Sequence, residues 1–245
     1  MAFFPNRVRQ IALSACLAVG IGATSAQAGL VDPVDPGLTI NWWVNGSFAG
    51  TLAPSGVFNE NFGWWTYGGF ATDLSTGVTL NFNLNGDPDP LVSGNLTVEN
   101  PFLPIVDITI QVILPIFPAL GLGSEMQGSA AVGLTTDAGG GSLSTFGGMP
   151  LWQGLIDGSP VGNAASLFFA PFALTNSTIG SSSSFGNFGP VVGPPVLNSI
   201  GIEINFSLTQ LDQASITSVF NVVPAPGVVG LLAVGALGVR RRRRR

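Results

Sequence analysis

Alternation of apolar and polar residues is the strongest pattern in the chain, and it predicts β-strands. Apolar side chains occupy every second position over residues 78–84, 106–112 and 200–208. Successive side chains of a strand point to opposite faces, so this period gives each strand one apolar and one polar face. Weaker alternation predicts four more strands, near residues 91–99, 130–136, 167–174 and 214–222. We therefore expect an all-β body at residues 29–222, a single antiparallel sandwich with Greek-key or jelly-roll-like connections.

Glycine, proline and serine clusters predict the connections between these strands. Residues 85–90 are expected to form a turn, because glycine permits positive φ and proline removes a ladder donor. The glycine-rich stretch 138–148 and the serine run 181–184, followed by Gly193, Pro194 and Pro195, are expected to be longer surface loops.

The N-terminus has the three parts of a secretory signal peptide. Arg7 and Arg9 precede an apolar run at residues 11–23, and the small residues Ala26 and Ala28 follow it. This order predicts export of the chain, a signal helix at residues 1–28 and cleavage between Ala28 and Gly29.

The C-terminus predicts a short transmembrane helix. Thirteen apolar or glycine residues at 227–239 would span about 20 Å as a helix, against a bilayer core of about 30 Å. Val222 and Val223 can extend the span on one side. On the other side, six arginines can snorkel and hold that end in the cytoplasm. These arginines are Arg240, Arg241, Arg242, Arg243, Arg244 and Arg245.

The C-terminal residues carry a family resemblance. The motif Val223, Pro224, Ala225, Pro226 and Gly227, followed by the apolar segment and the arginine cluster, resembles a PEP-CTERM sorting signal. The usual box of that family is Val-Pro-Glu-Pro, and this chain has a Val-Pro-Ala-Pro variant, with Ala225 in place of the glutamate. The resemblance covers residues 223–245 and implies an exported protein of a Gram-negative bacterium. It also implies passage through the Sec translocon, processing by signal peptidase and by an exosortase-type membrane protease, and delivery to the cell surface or an exopolysaccharide matrix.

The charge distribution excludes several classes of function. All 13 acidic residues lie between residues 10 and 239, and that stretch has no lysine, arginine or histidine. It therefore has no cation with which to neutralise nucleic-acid phosphates. Histidine bases and Schiff-base lysines are also absent, and the single cysteine, Cys16, excludes disulfides within the chain.

Carboxylates are the remaining candidates for catalysis or metal binding. Glu60, Glu99, Glu125 and Glu203 could supply the acid and base of a glycosidase, but solvated loop and strand-face positions are the simpler interpretation. Asp87 and Asp89 could contribute oxygen ligands to Ca²⁺, although two carboxylates fall short of the six to eight ligands it takes. We expect turn residues there and no resident cofactor.

The tryptophans suggest a second function. Trp42 and Trp43 are adjacent, as are Trp64 and Trp65, and a strand would place one ring of each pair inside and one outside. An exposed indole could stack on a sugar ring, whereas large aromatic side chains are more often buried. The sequence thus favours a non-enzymatic exported surface or matrix protein, with a carbohydrate-binding module as the alternative and a carboxylate glycosidase as a third hypothesis.

Overall fold

The computed structural model describes residues 34–121 and 123–225, and this part of the chain is all-β. Its only helical element is a 3-10 turn at Asn163–Ala165. The all-β class is therefore confirmed. The strands of this part are β1 (Thr39–Val44), β2 (Ser47–Leu52), β3 (Val57–Asn59), β4 (Trp64–Thr72), β5 (Thr79–Asp87), β6 (Leu91–Asn100), β7 (Ile105–Pro115), β8 (Ser124–Thr136), β9 (Gly141–Ser144), β10 (Trp152–Ile156), β11 (Ser159–Pro160), β12 (Ser166–Leu167), β13 (Ala173–Asn176), β14 (Gly180–Gly193), β15 (Ser199–Thr209) and β16 (Asp212–Pro224).

The strands form two antiparallel sheets. The first sheet runs β11-β10-β15-β7-β1-β2, and the short strands β9, β12 and β13 pair beside β15 and β10. The second sheet runs β14-β8-β16-β6-β5-β4-β3. β15 lies in the middle of the first sheet, with β7 on one side and β10 and β9 on the other. This central position determines the environment of its outward side chains.

The inner faces of the two sheets share one apolar core. In β7, for example, Ile108 and Ile110 are fully buried, and in β16 so is Ile216. Trp152 of the first sheet meets Phe220 of the second edge-on, with ring centroids 6.0 Å apart. Burying an aliphatic or aromatic side chain contributes roughly 1.5–3 kcal/mol. Because the stretch has no basic residue, apolar burial and hydrogen bonds, rather than ion pairs, stabilise the sandwich.

Most of the strands predicted from period-two alternation are confirmed. The segments at 78–84, 106–112 and 200–208 correspond to β5, β7 and β15, and those at 91–99, 130–136 and 214–222 lie in β6, β8 and β16. The strand predicted at 167–174 is wrong. That segment holds only the ends of β12 and β13, and Pro171, which has no N–H to donate to a ladder, lies between them.

The serine run 181–184, predicted as a loop, is also a strand. It belongs to β14, which pairs with β8 from Gly180 to Gly193 and forms one edge of the second sheet. Backbone pairing with β8 specifies this strand despite its low β-propensity, since context overrides propensity in sheets. The predicted loop 138–148 likewise contains a strand, β9, which pairs with β13 and β15. The predicted turn at 85–90 begins only after Asp87, because β5 extends to that residue.

The expected signal helix at residues 1–28 and the expected transmembrane helix at 227–239 lie outside the described residues. Within the described ranges, no helix has the length and apolar character needed to cross a membrane. One detail of the predicted span is wrong. Val222 is fully buried in the sandwich core and pairs with Met126 of β8, so it cannot lengthen a membrane segment.

Candidate functional site

The sandwich separates the tryptophans that the sequence places in pairs. Trp42 and Trp65 are buried in the core, whereas their neighbours Trp43 and Trp64 are half-buried. Trp43 is on the outer face of the first sheet, and Trp64 is on the outer face of the second. One ring of each pair is thus inside and one outside, as strand geometry predicts. The two outer rings cannot form one continuous aromatic surface.

Trp43 lies next to a tight hairpin turn. Asn45 and Gly46 connect β1 to β2 with φ values of 49° and 74°, the left-handed backbone that a two-residue hairpin of this kind requires. The hairpin places Phe48 opposite Trp43, with ring centroids 5.5 Å apart and the rings tilted by 59°. Phe48 is 59% exposed. The two side chains form a small aromatic platform on the outer face of the first sheet.

Five polar side chains form a row across that same face. Strand register aligns one residue from each of five adjacent strands: Thr51 of β2, Asn41 of β1, Gln111 of β7, Glu203 of β15 and Gln153 of β10. Adjacent strands are about 4.8 Å apart, so the row is about 19 Å long. Three of the four neighbouring pairs in the row are hydrogen-bonded. Thr51 Oγ1 donates to Asn41 Oδ1 at 2.6 Å, Gln111 Nε2 donates to Glu203 Oε2 at 2.6 Å, and Gln153 Nε2 donates to Glu203 Oε1.

Glu203 is the centre of this network. It is only 7% exposed, and it accepts hydrogen bonds from Gln111 Nε2, Gln153 Nε2 and Asn205 Nδ2. Glu203 occupies a strand face, as expected, but the expectation that its side chain is solvated is wrong. Three amide donors replace water around the carboxylate, which removes most of the cost of burying it. Glu203 in return fixes the orientation of all three amides.

A second polar row lies two residues further along the strands, about 7 Å from the first. Trp43 faces Thr109 of β7, which faces Asn205 of β15. Thr109 Oγ1 donates to Asn205 Oδ1 at 2.9 Å, and Asn205 is 1% exposed. Sequence reasoning missed both rows, because they depend on the register of strands far apart in the chain.

The four glutamates proposed for a glycosidase are not brought together. Glu203 lies on the first sheet, Glu60 in the loop after β3, and Glu99 and Glu125 on the second sheet. Glu99 and Glu125 pair with Gln213 and Val223 of β16, ten residues apart, which places them about 33 Å from each other. Catalytic carboxylate pairs of glycosidases are about 5–9.5 Å apart. These four residues therefore do not form such a pair.

Asp87 and Asp89 lie at the turn between β5 and β6. Asp87 Oδ1 accepts the backbone N–H of Asp89 at 3.0 Å, the local bond of a turn-forming aspartate. In residues 34–121 and 123–225, no cluster of three or more histidine, cysteine, aspartate or glutamate side chains is arranged to hold a metal ion. Calcium binding at this turn stays a hypothesis.

Two other aspartates, Asp35 and Asp157, accept hydrogen bonds that connect loops to the sandwich. Asp35 accepts the Tyr67 hydroxyl at 2.8 Å and the Gly56 N–H at 2.7 Å. Asp157 accepts the backbone N–H groups of Asn198 and Ser199 at 2.7 and 3.0 Å. Burial alone would raise the pKa of each carboxyl, but the hydrogen bonds outweigh it and lower both pKa values below the usual range. Burial and the bond to Asp35 raise the pKa of Tyr67.

The predicted sorting motif begins inside the last strand. Val223 and Pro224 end β16 and pair with Glu125 and Ser124 of β8. The remaining predicted sorting residues lie outside the described part of the chain: Pro226, Gly227, Arg240, Arg241, Arg242, Arg243, Arg244 and Arg245. The residues of the expected signal cleavage, Ala26, Ala28 and Gly29, lie outside it as well.

Comparison with known proteins adds no relative to this description. No protein-family model matches the chain. No curated protein matches it in sequence either.

Proposed function

We propose that the chain is a non-enzymatic exported protein of the cell surface or extracellular matrix, sorted and trimmed by an exosortase-type protease and associated with exopolysaccharide. One observation carries the proposal: the sandwich is complete at Pro224, where β16 ends its ladder with β8. A cut beyond this residue would remove the apolar segment and the arginines, and every core strand would remain.

The extent of β16 also supports a limit on where trimming can occur. Proteases act on extended chain that is free of a ladder, and residues up to Pro224 are paired with β8. Pro226 disfavours helical conformation at Ala225, the residue that directly follows the ladder, so a protease would meet non-helical chain there. We therefore propose that the exosortase-type protease cuts C-terminal to Pro224.

The sorting proposal is tested by the intact mass of the protein recovered from cell envelope and from medium. We expect a mature form that begins at Gly29, retains Pro224 and lacks residues 227–245. The variant Pro226→Ala should accumulate untrimmed, whereas Ala225→Glu, which restores the usual Val-Pro-Glu-Pro box, should trim at least as well. Recovery of protein that retains the arginines in both fractions would identify an ordinary membrane anchor and overturn the sorting proposal.

The finer architecture belongs to the same proposal. Successive strands from β13 to β16 alternate between the two sheets, as in jelly-roll and Greek-key sandwiches. We assign the body to that group of folds. Many unrelated activities occur on it, so the fold alone implies no chemistry.

A second candidate function, carbohydrate binding, is favoured by one specific observation. Trp43 presents a half-buried ring beside the exposed Phe48, with ring centroids 5.5 Å apart. Trp64, in contrast, has one face of its ring covered by Phe62, which stacks on it at 4.9 Å. Quenching of tryptophan fluorescence by soluble glycans tests this function, and an unchanged spectrum with every glycan tried would exclude it.

A further inference from the structure

We propose that the outer face of the first sheet binds a neutral polysaccharide chain. This polar face consists of Asn41, Trp43, Thr51, Thr109 and Gln111. Beside it on the same side of the sheet, on β15 and β10, lie three buried polar side chains: Gln153, Glu203 and Asn205. The inference rests on the second candidate function above and is independent of the sorting signal.

The first argument is the unused hydrogen-bonding capacity of the polar face. A primary amide has two N–H donors and a carbonyl acceptor. Gln111 uses one N–H on Glu203, and Asn41 uses its carbonyl oxygen on Thr51. Each amide therefore has further polar atoms to offer on the solvent side. Alternating donors and acceptors of this kind match the hydroxyl groups of a sugar, each of which both donates and accepts.

The second argument is preorganisation. Glu203 holds Gln111, Gln153 and Asn205 in place, and Asn205 in turn accepts from Thr109. Ordering flexible side chains on binding costs about 0.5–1.5 kcal/mol for each one. A face whose amides are already oriented in the free protein avoids much of this cost.

The third argument is the position of the aromatic platform. Trp43 and Phe48 lie one row from the line of Asn41 and Gln111, about 7 Å away along the strands. A sugar ring bound over the polar row would bring a neighbouring ring, or its own apolar C–H face, within reach of the indole. Large aromatic surface beside fixed polar groups is the usual composition of small-ligand sites.

The negative charge of the protein disfavours anionic polysaccharides as ligands. Every acidic residue except Asp32 lies in the described part of the chain, which has no cationic side chain at all. Uronate, sulfate or phosphate groups would meet unopposed repulsion, strongest at low ionic strength. The polar face therefore suits a glycan without charged groups.

The experiment measures binding of the full-length chain to cellohexaose, laminarin and dextran as neutral glycans. Alginate, an anionic glycan, is tested on the form that lacks residues 227–245, because the six C-terminal arginines of the full-length chain would attract it. Tryptophan fluorescence and retardation in glycan-containing native gels serve as the two assays. We expect binding to at least one neutral glycan and none to alginate. Trp43→Ala should weaken binding by about tenfold or more, as truncation of an aromatic anchor does. Asn41→Ala should weaken it several-fold.

The matched control is Trp64→Ala, which removes the corresponding half-buried indole from the other outer face. It should leave the affinity unchanged, and the thermal midpoints of Trp43→Ala and Trp64→Ala should stay close to that of the unaltered chain. Failure of all three neutral glycans to bind, tighter binding of alginate, or an equal loss in Trp64→Ala would each overturn the proposal. The chain that retains residues 227–245 and the trimmed chain should bind neutral glycans alike, so failure of the sorting proposal would leave this result intact.

Discussion

The two outer faces of the sandwich are both polar, but only the first sheet organises its polar groups around a buried charge. Each face has a glutamate bonded across strands to a glutamine: Glu203 to Gln111 on the first sheet, and Glu99 to Gln213 on the second. Glu203 is 7% exposed and accepts from three amides. Glu99 is exposed, and Gln213 Nε2 donates to it at 2.7 Å. The same pair of residue types therefore has two different roles.

Strand position explains this difference. Glu203 lies on β15, in the middle of the first sheet, and both of its flanking strands present a glutamine to it. Glu99 lies on β6, where β16 presents a glutamine but β5 presents only the short side chain of Thr79. A long acidic side chain between two amides is enclosed, whereas one with a single amide neighbour extends into water. Polar composition alone does not reveal which face is organised.

The largest effect that would test this comparison is the loss of stability in Glu203→Gln. The substitution keeps the shape of the side chain but turns one acceptor oxygen into an NH₂ group that faces another donor. Leaving a buried polar group unsatisfied costs about 1–3 kcal/mol, so we expect the free energy of unfolding to fall by about 2 kcal/mol. Urea unfolding of the purified protein measures the change.

Glu99→Gln is the control for that experiment. It makes the same chemical change at an exposed site and should alter the free energy of unfolding by less than about 0.5 kcal/mol. Equal losses in the two variants would show that the two faces do not differ energetically. Glu203→Gln should also weaken glycan binding, because Gln111 would lose its fixed orientation, while Glu99→Gln should not.

Much of the fold could be predicted from the sequence, because period-two alternation is a local signal. β7 and β15 each show it over their whole length, and each was found at the predicted position. The serine run of β14 was missed because its residues are all polar and show no apolar alternation; pairing with β8 specifies it as a strand, and Phe188 and Val191 pack against the core further along β14. Local patterns thus identify strands with alternating apolar residues and miss segments, such as this serine run, that are specified by pairing with a neighbouring strand.

The candidate site could be predicted only in part. Alternation places Glu203 on the face opposite Ile202 and Ile204, which is correct. The burial of its carboxylate depends on Gln111 and Gln153, which are 92 and 50 residues away in the chain. No local pattern specifies that register. The placement of the tryptophan pairs was easier to predict from the sequence, since adjacent residues of a strand must face opposite ways.

A smaller effect is expected from carboxylates that lie on neither face. Asp157 accepts backbone N–H groups from the segment before β15, and its pKa is lowered in the folded protein. A lowered pKa contributes stability above the unfolded-state value of about 3.9, and this stability disappears as the pH falls through the folded-state pKa. Asp157→Asn should therefore lower the free energy of unfolding by about 1 kcal/mol at pH 7 and by less at pH 2.5.

Urea unfolding of the Asp157→Asn variant and the unaltered chain at the two pH values measures this change. A cost for Asp157→Asn that is the same at both pH values would mean that the shape of the side chain, and not its charge, holds the segment before β15.

Added salt is expected to have the smallest effect on stability, and this effect tests which groups stabilise the Glu203 carboxylate. The stretch from residue 10 to 239 has 13 carboxylates and no cation, so added salt can only screen repulsion within it. Raising NaCl from 20 mM to 500 mM should increase the thermal midpoint by no more than about 3 °C, which corresponds to about 1 kcal/mol or less for a domain of this size. The loss of stability in Glu203→Gln relative to the unaltered chain should not shrink as salt is added, because neutral amides and not a cation satisfy the carboxylate. A difference that shrinks at high salt would reveal an ion pair to Glu203, and the contrast between the two faces would then be one of charge pairing and not of amide enclosure.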